Sequence, residues 1–363
     1  MLKLILVAMS SEILTEKPVI RQAICVTMPA SGSPIKIQDT EVANFLPFIN
    51  GSLITWINCT VEDVNRDAEK VSVLFGIEPH LVPTLLSGHL ASYEDLGTSL
   101  GLMMPAVIVN KIEIEINPLL ILLRKNLILT IHSEKVQRLV RFSRYADIFL
   151  KKIPPELPWN DRLSVVLTRI IDEDNEKNFE GLRSIEEHGD RIAKELLDPT
   201  TPRALLGVEI YNMKHALITY LNILWASLDV INSLRYGDAE IITDDQKLLE
   251  KFSLLAGDIN RHIALSEHMS EVLASGLEVL QSIYNNQLQV LNNRMAFVIT
   301  WLTILGTAIL VPNTLATVFG SLFGIGTEDV TWYVTLLVVA TLISTWLAYF
   351  WVKRKGLIPA RVE

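Results

Sequence analysis

Between positions 296 and 352 the only charged side chains are Glu328 and Asp329, which sit together in the link between two apolar stretches, 296–318 and 330–352. Each stretch has about the twenty residues needed to cross the roughly 30 Å hydrocarbon core of a bilayer as a helix. In lipid each span must satisfy its own backbone hydrogen bonds, so two helices joined by a tight return are what this segment permits. Lys353, Arg354 and Lys355 follow the second stretch, while the link has no basic residue. The excess of positive charge places the C-terminus in the cytoplasm, and the long N-terminal portion with it. Trp332, Tyr333, Tyr349, Phe350 and Trp351 lie near the ends of the second stretch, where aromatic belts form.

The rest of the chain divides by proline and charge. Eleven of the fifteen prolines fall at or before Pro158. That part alternates short runs rich in Val, Ile, Thr and aromatics (52–59, 103–109, 127–131) with turn signals, as strands do. Met1 to Met9 is too short for a signal-peptide core and reads as a first strand. Helical spacing covers 61–75, with Thr60 as the expected N-cap and Asp63 in the first turn, and then 79–86. An α/β domain is therefore expected over 1–158. An acidic helical hairpin follows over 159–243, turning at Pro199 and Pro202. No proline then occurs before Pro312, so a stalk helix over 244–295 runs on into the first span, in all on the order of 110 Å at 1.5 Å per residue. The remaining pieces are the external loop 319–329, the second span and a basic tail over 353–363.

The first span carries a face counted in steps of three and four: Asn286, Gln289, Asn293, Ala296, Thr300, Thr303, Thr307, Leu310, Thr314, Thr317 and Ser321. A soluble coiled coil would place Leu, Ile or Val at such positions. One reading is that the hydroxyls bond back to carbonyls four residues earlier, or pack as small residues between spans. The other is that several copies of this helix surround a hydrated axis, each hydroxyl offering an oxygen to a cation. One helix cannot enclose a pore, so the second reading requires a closed ring of identical chains. Pro312 removes one N–H and crowds the carbonyl of Ala308, a break tolerated in membranes where protein or water satisfies the freed group.

These residues resemble the CorA-type divalent-cation transporters. The resemblance covers nearly the whole chain, from Trp56, Ile57 and Asn58 through the acidic helices, the long helix and the two spans. Its most local parts are the run Asp258, Ile259, Asn260, Arg261, His262 and the run Val311, Pro312, Asn313, Thr314. The resemblance implies an α+β membrane protein: an N-terminal cytoplasmic α/β domain, a long stalk helix and two C-terminal transmembrane helices, assembled as a funnel-shaped homopentamer. It also implies passive transport of magnesium or a related ion along the first span. One departure stands out. The family has Gly-Met-Asn at the outer end of that span, whereas here Phe319 and Gly320 are followed by Ser321 and Leu322. Magnesium specificity therefore does not carry over.

The expected conduction path is Asn293, Thr300, Thr303, Thr307, Leu310, Thr314 and Thr317, with Gly320, Ser321, Glu328 and Asp329 at the outer mouth, the two carboxylates gathering cations there. Asp258 and His262, at i and i+4, could reach one regulatory ion; otherwise they are an ordinary surface pair. The acidic run Asp172, Glu173, Asp174, Glu176, Glu180, Glu186 and Glu187 reads as a solvated face or a cation reservoir. A net charge of −9 argues against a nucleic-acid partner. Cys25 and Cys59, the only cysteines, read as buried thiols. No P-loop, GxSxG or HExxH motif occurs, and nothing requires an enzyme. The expectation is a homo-oligomeric transporter of Mg2+, Co2+, Ni2+ or Zn2+ in the cytoplasmic membrane, both termini cytoplasmic, with no covalent cofactor and a divalent metal as substrate and regulatory ligand. The alternatives are a zinc or proton-coupled transporter, and a non-conducting membrane-anchored sensor or scaffold.

Overall fold

A computed structural model describes residues 18–136, 138–198, 202–237, 239–322 and 330–354. The expected first strand at Met1–Met9, Pro199 in the hairpin turn, Glu328, Asp329 and Lys355 all lie outside the described residues. Two compact units, Met1–Leu277 and Glu278–Glu363, share one long helix across their boundary.

The first unit is built on seven strands: β1 Ile20–Pro29, β2 Ile35–Asp39, β3 Ser52–Val61, β4 Ser92–Asp95, β5 Ser99–Asn110, β6 Glu113–Arg124 and β7 Leu127–Ser133. They form one sheet in the order β2-β1-β3-β7-β6-β5-β4, antiparallel except for the central β3–β7 pair. Pro105 and Pro118 face each other in the β5–β6 ladder. On their outer sides β4 reaches only to Met103 and the β7 ladder only to Leu119, so neither proline leaves a strand neighbour without its donor.

Short helices connect the strands on one face: α1 Leu46–Ile49, α2 Val64–Leu74 and α3 Leu81–Leu86. Alternation sends Cys25, Ile57, Cys59 and Leu129 to this face, where they pack with Val71, Phe75 and Leu85. Gly101 admits α3, since a Cβ there would lie 2.6 Å from Leu85 Cδ1. The sequence expectation of a helix from residue 61 with Thr60 as cap is corrected. Thr60 and Val61 belong to β3, and Asp63 caps α2 by accepting from the Asn65 amide at 2.9 Å. Pairing of β3 with β1 and β7 through Val61 extends the strand past the local capping signal.

On the other face Trp56, Asn58, Thr130 and His132 lie beneath α4 Arg138–Leu150 and α5 Trp159–Leu197. Trp56 packs against Phe142 with centroids 4.7 Å apart and ring planes tilted by 52°, and donates its indole N–H to Thr130 at 3.2 Å. Helices α6 Arg203–Arg235 and α7 Gln246–Leu322 follow, and α8 Val330–Arg354 ends the described chain. Helix α7 runs unbroken for 77 residues through Pro312.

Candidate functional site

The second unit holds the end of α7 and all of α8, both long and apolar enough to span a bilayer. Within the α7 span, Ile304 and Ala308 are buried, and Tyr333 of α8 donates its hydroxyl to the carbonyl of Ala316 at 2.8 Å. A turn of 3.6 residues puts Thr303, Thr314 and Ser321 about 100° round the helix from Ile304. They are exposed, as are Leu302, Leu305 and Ile309 on the far flank. One uncovered flank of this span is therefore polar and the other apolar.

All five threonines of the polar face bond to their own helix. Thr300, Thr303, Thr307, Thr314 and Thr317 each donate to the carbonyl four residues earlier, at 2.8–2.9 Å, and Ser321 donates to Val318 at 3.0 Å. This is the back-bonding open to Ser and Thr in helices. Because each hydroxyl proton points inward, what each residue offers outward is an oxygen acceptor. Acceptors suit the protons of a cation's water shell. Leu310 is the apolar interruption in this face, Ser321 ends it, and Asn293 stands exposed one turn before the span; Gly320, expected at the mouth, lies five turns from Leu302 and so on the far flank. The carboxylates expected to complete the mouth, Glu328 and Asp329, are not among the described residues.

Two features of this unit escaped the sequence reading. Tyr333 looked like a member of an aromatic belt, yet its hydroxyl ties α8 to α7 one turn before Gly320. Helix α8 also has a hydroxyl line of its own, with Thr335, Thr341 and Thr345 bonding back four residues. The spacing of Thr331, Thr335, Thr341 and Thr345 was the signal for it.

In the first unit, Asp258 is half-exposed and ion-paired with Arg261. His262 is buried and stacks on Phe179 of α5 with centroids 4.5 Å apart, and burial holds its pKa below the ordinary histidine value. Opposite them, the carboxyl of Asp172 is raised, chiefly by burial; Arg169 opposes the rise and Glu173, Glu176 and Asp258 add to it. Asp172 is ion-paired with Arg169 at 2.5 Å. Among the described residues, no three His, Cys, Asp or Glu side chains gather closely enough to hold a metal.

The acidic run on α5 is not one solvated face. Glu173 and Asp174 are buried: Glu173 pairs with Arg169 and accepts from Tyr145, while Asn178 donates to Asp174 at 3.3 Å. Successive helical residues point about 100° apart, so a run of consecutive acids faces both the protein interior and water. Glu176 and Glu180 are exposed, paired with Arg141 and Lys177.

Comparison with known proteins extends the pattern to most of the chain. Residues 52–354 match the family described as CorA-like Mg2+ transporter protein. The chain is 23% identical over 335 residues to the cobalt/magnesium transport protein CorA of Thermotoga maritima, covering 89% of each. In fold it is similar to the complete CorA magnesium transporter of Methanocaldococcus jannaschii, with a TM-score of 0.64 at 21% identity over 90% of this chain and 96% of that one. It is also similar to the cytoplasmic domain of ZntB from Vibrio parahaemolyticus, with a TM-score of 0.53 at 15% identity over 74% and 99%.

Proposed function

The chain belongs to the CorA-like Mg2+ transporter family, whose members are transporters and not enzymes, and from that premise we propose that it conducts hydrated divalent cations through a closed ring of identical copies, most simply five. The polar flank of α7 lines the axis, and the apolar flank with α8 meets lipid and neighbouring copies. The observation that carries this reading is the exposed polar flank of α7, where Thr303, Thr314, Thr317 and Ser321 stand open on one side of a span whose other side is apolar. A water-filled axis uses the oxygens of this flank as acceptors; back-bonding by itself does not choose between water and lipid, since Thr335, Thr341 and Thr345 of α8 do the same.

Magnesium dehydrates reluctantly, so a wall of neutral acceptors would pass it with its water attached. With Ser321 and Leu322 where the family has Met and Asn, discrimination among Mg2+, Co2+, Ni2+ and Zn2+ falls to hydroxyls, the Gly320 carbonyl and the carboxylates of Glu328 and Asp329. Lys353 and Arg354 at the end of α8 support the orientation with both termini in the cytoplasm. Asp258, facing Asp172, is our candidate for a regulatory cation contact, because a divalent ion would relieve the repulsion among these carboxylates. His262 is the weaker ligand, since its ring packs on Phe179.

Uptake of each of the four ions into proteoliposomes containing the full chain tests the reading. We expect saturable uptake of at least one ion, reduced at least about tenfold when Thr307 and Thr314 are both changed to Leu. No uptake of any ion by the wild type would overturn it, as would equal uptake by the double variant.

A further inference from the structure

A groove of about 700 Å3 in the first unit is lined by none of the conduction residues. One wall is the edge of β5 at Val107, Ile108 and Val109. Strand β4 pairs with β5 only as far as Met103, and among the described residues no strand continues along this edge; the amide of buried Val107 donates to Asn178 of α5 at 3.4 Å, while Ile108 and Val109 are half-buried. The opposite wall is basic, with Lys135 after β7, Arg141 and Arg144 on α4, and Lys177 on α5. Gly181 keeps the floor low, since a Cβ there would already lie 2.9 Å from Val109 Cγ2. Four cations line this groove beside a single lining carboxylate, Glu180, in a chain of net charge −9.

Three of these cations have carboxylate partners: Lys135 with Glu115, Arg141 with Glu176 at 3.4 Å, and Lys177 with Glu180 at 2.6 Å. All three pairs are solvent-exposed, the class of ion pair that adds least to stability and is most easily exchanged. Among the described residues, Arg144 is exposed and no carboxylate pairs with it. A ligand carrying several negative charges could take Arg144 outright and draw the other three from their exposed partners.

We propose that this groove binds a nucleoside triphosphate, the phosphates on Arg141, Arg144 and Lys177 and the base against the valine edge of β5. The volume lies in the range of small-molecule sites, which combine an apolar lining with a few placed polar groups. Arginine forks match phosphate oxygens in pairs, which favours a phosphate chain over a single carboxylate. The apolar wall gives the nucleoside part a surface that inorganic phosphate cannot use. Glu180 offers an acceptor for ribose hydroxyls or an exocyclic amine. The proposal stands whether or not the chain conducts, because no residue of the groove belongs to the second unit.

The test is calorimetric titration of the full chain in detergent with ATP and with inorganic tripolyphosphate, in EDTA so that metal binding does not contribute. We expect ATP to bind, with affinity falling as salt rises. Arg144→Glu combined with Lys177→Glu should weaken binding at least about tenfold, and tripolyphosphate should bind more weakly than ATP. Both substituted side chains are on the surface, and an unchanged thermal midpoint will show that the double variant folds; should it not fold, Arg144→Gln alone, expected to weaken ATP at least threefold, serves in its place. Absence of ATP binding at millimolar concentration would overturn the site, as would a folded variant that binds like the wild type. Equal affinity for ATP and tripolyphosphate would overturn the role of the apolar wall.

Discussion

Helices α6 and α8 are both long and apolar enough to cross a bilayer, but half of the apolar window of α6 is buried within the protein and none of that of α8 is. Tyr220, Ile223 and Ile231 of α6 are fully covered, and Tyr220 donates its hydroxyl to the carbonyl of Asn178 on α5. Val339, Leu342 and Trp346 of α8 stand open. Hydropathy reports only that a helix needs cover. Burial reports whether the chain supplies that cover itself, and for α8 the remaining supplier is lipid or another copy.

The largest expected effect that sharpens this contrast is on α6. Ile223→Ala removes a fully buried side chain and should destabilise the full chain by about 2–5 kcal/mol in chemical unfolding. An effect under about 0.5 kcal/mol would mean that α6 is not a core helix. Next in size is a charge on α8. Val339→Arg should cost about 2.5–3.5 kcal/mol of insertion and lower the membrane-associated fraction of the protein, whereas Ile218→Arg on the exposed side of α6 should leave that fraction unchanged. Equal loss from both would break the contrast.

A smaller effect concerns the sheet beneath α4. Burial holds the His132 pKa below the ordinary histidine value, so the unfolded chain binds the proton more readily. Stability should therefore be full above the ordinary value and fall as the pH drops through it, levelling off below the depressed folded pKa. A neutral ring has a single N–H. It can donate from Nδ1 to the Ser133 carbonyl at 2.8 Å or from Nε2 to Asn58 Oδ1 at 3.1 Å, but not to both. His132→Asn should flatten this part of the stability–pH curve, and an unchanged slope would show that another group titrates.

The same contrast explains what could be read from the sequence. The long helix and the polar face from Thr300 to Ser321 were legible because periodicity and back-bonding are both local, settled within four residues. The α2 cap was misread because β3 extends through Val61 on the strength of pairing with Ile20 and Ser133, which are far away in the chain. Composition alone could not separate buried Glu173 from exposed Glu176, nor place His262 on Phe179, because both depend on how α5 packs. The sequence reading placed α6 in an acidic hairpin without weighing it as a span, and its cover within the protein is what separates it from α8.

The account rests on water reaching one flank of α7 and not the other. Single-cysteine accessibility measures this directly, because the native thiols are buried and Cys25 is pushed up to about 12 by burial, leaving a quiet background. In membrane-embedded full chain, cysteines at 303, 307 and 314 should react with a water-soluble thiol reagent and the reaction should block cation uptake, while cysteines at 302, 305 and 309 should stay unreacted. Equal labelling of both flanks, or labelling confined to 302, 305 and 309, would contradict a conduction path along the threonine face.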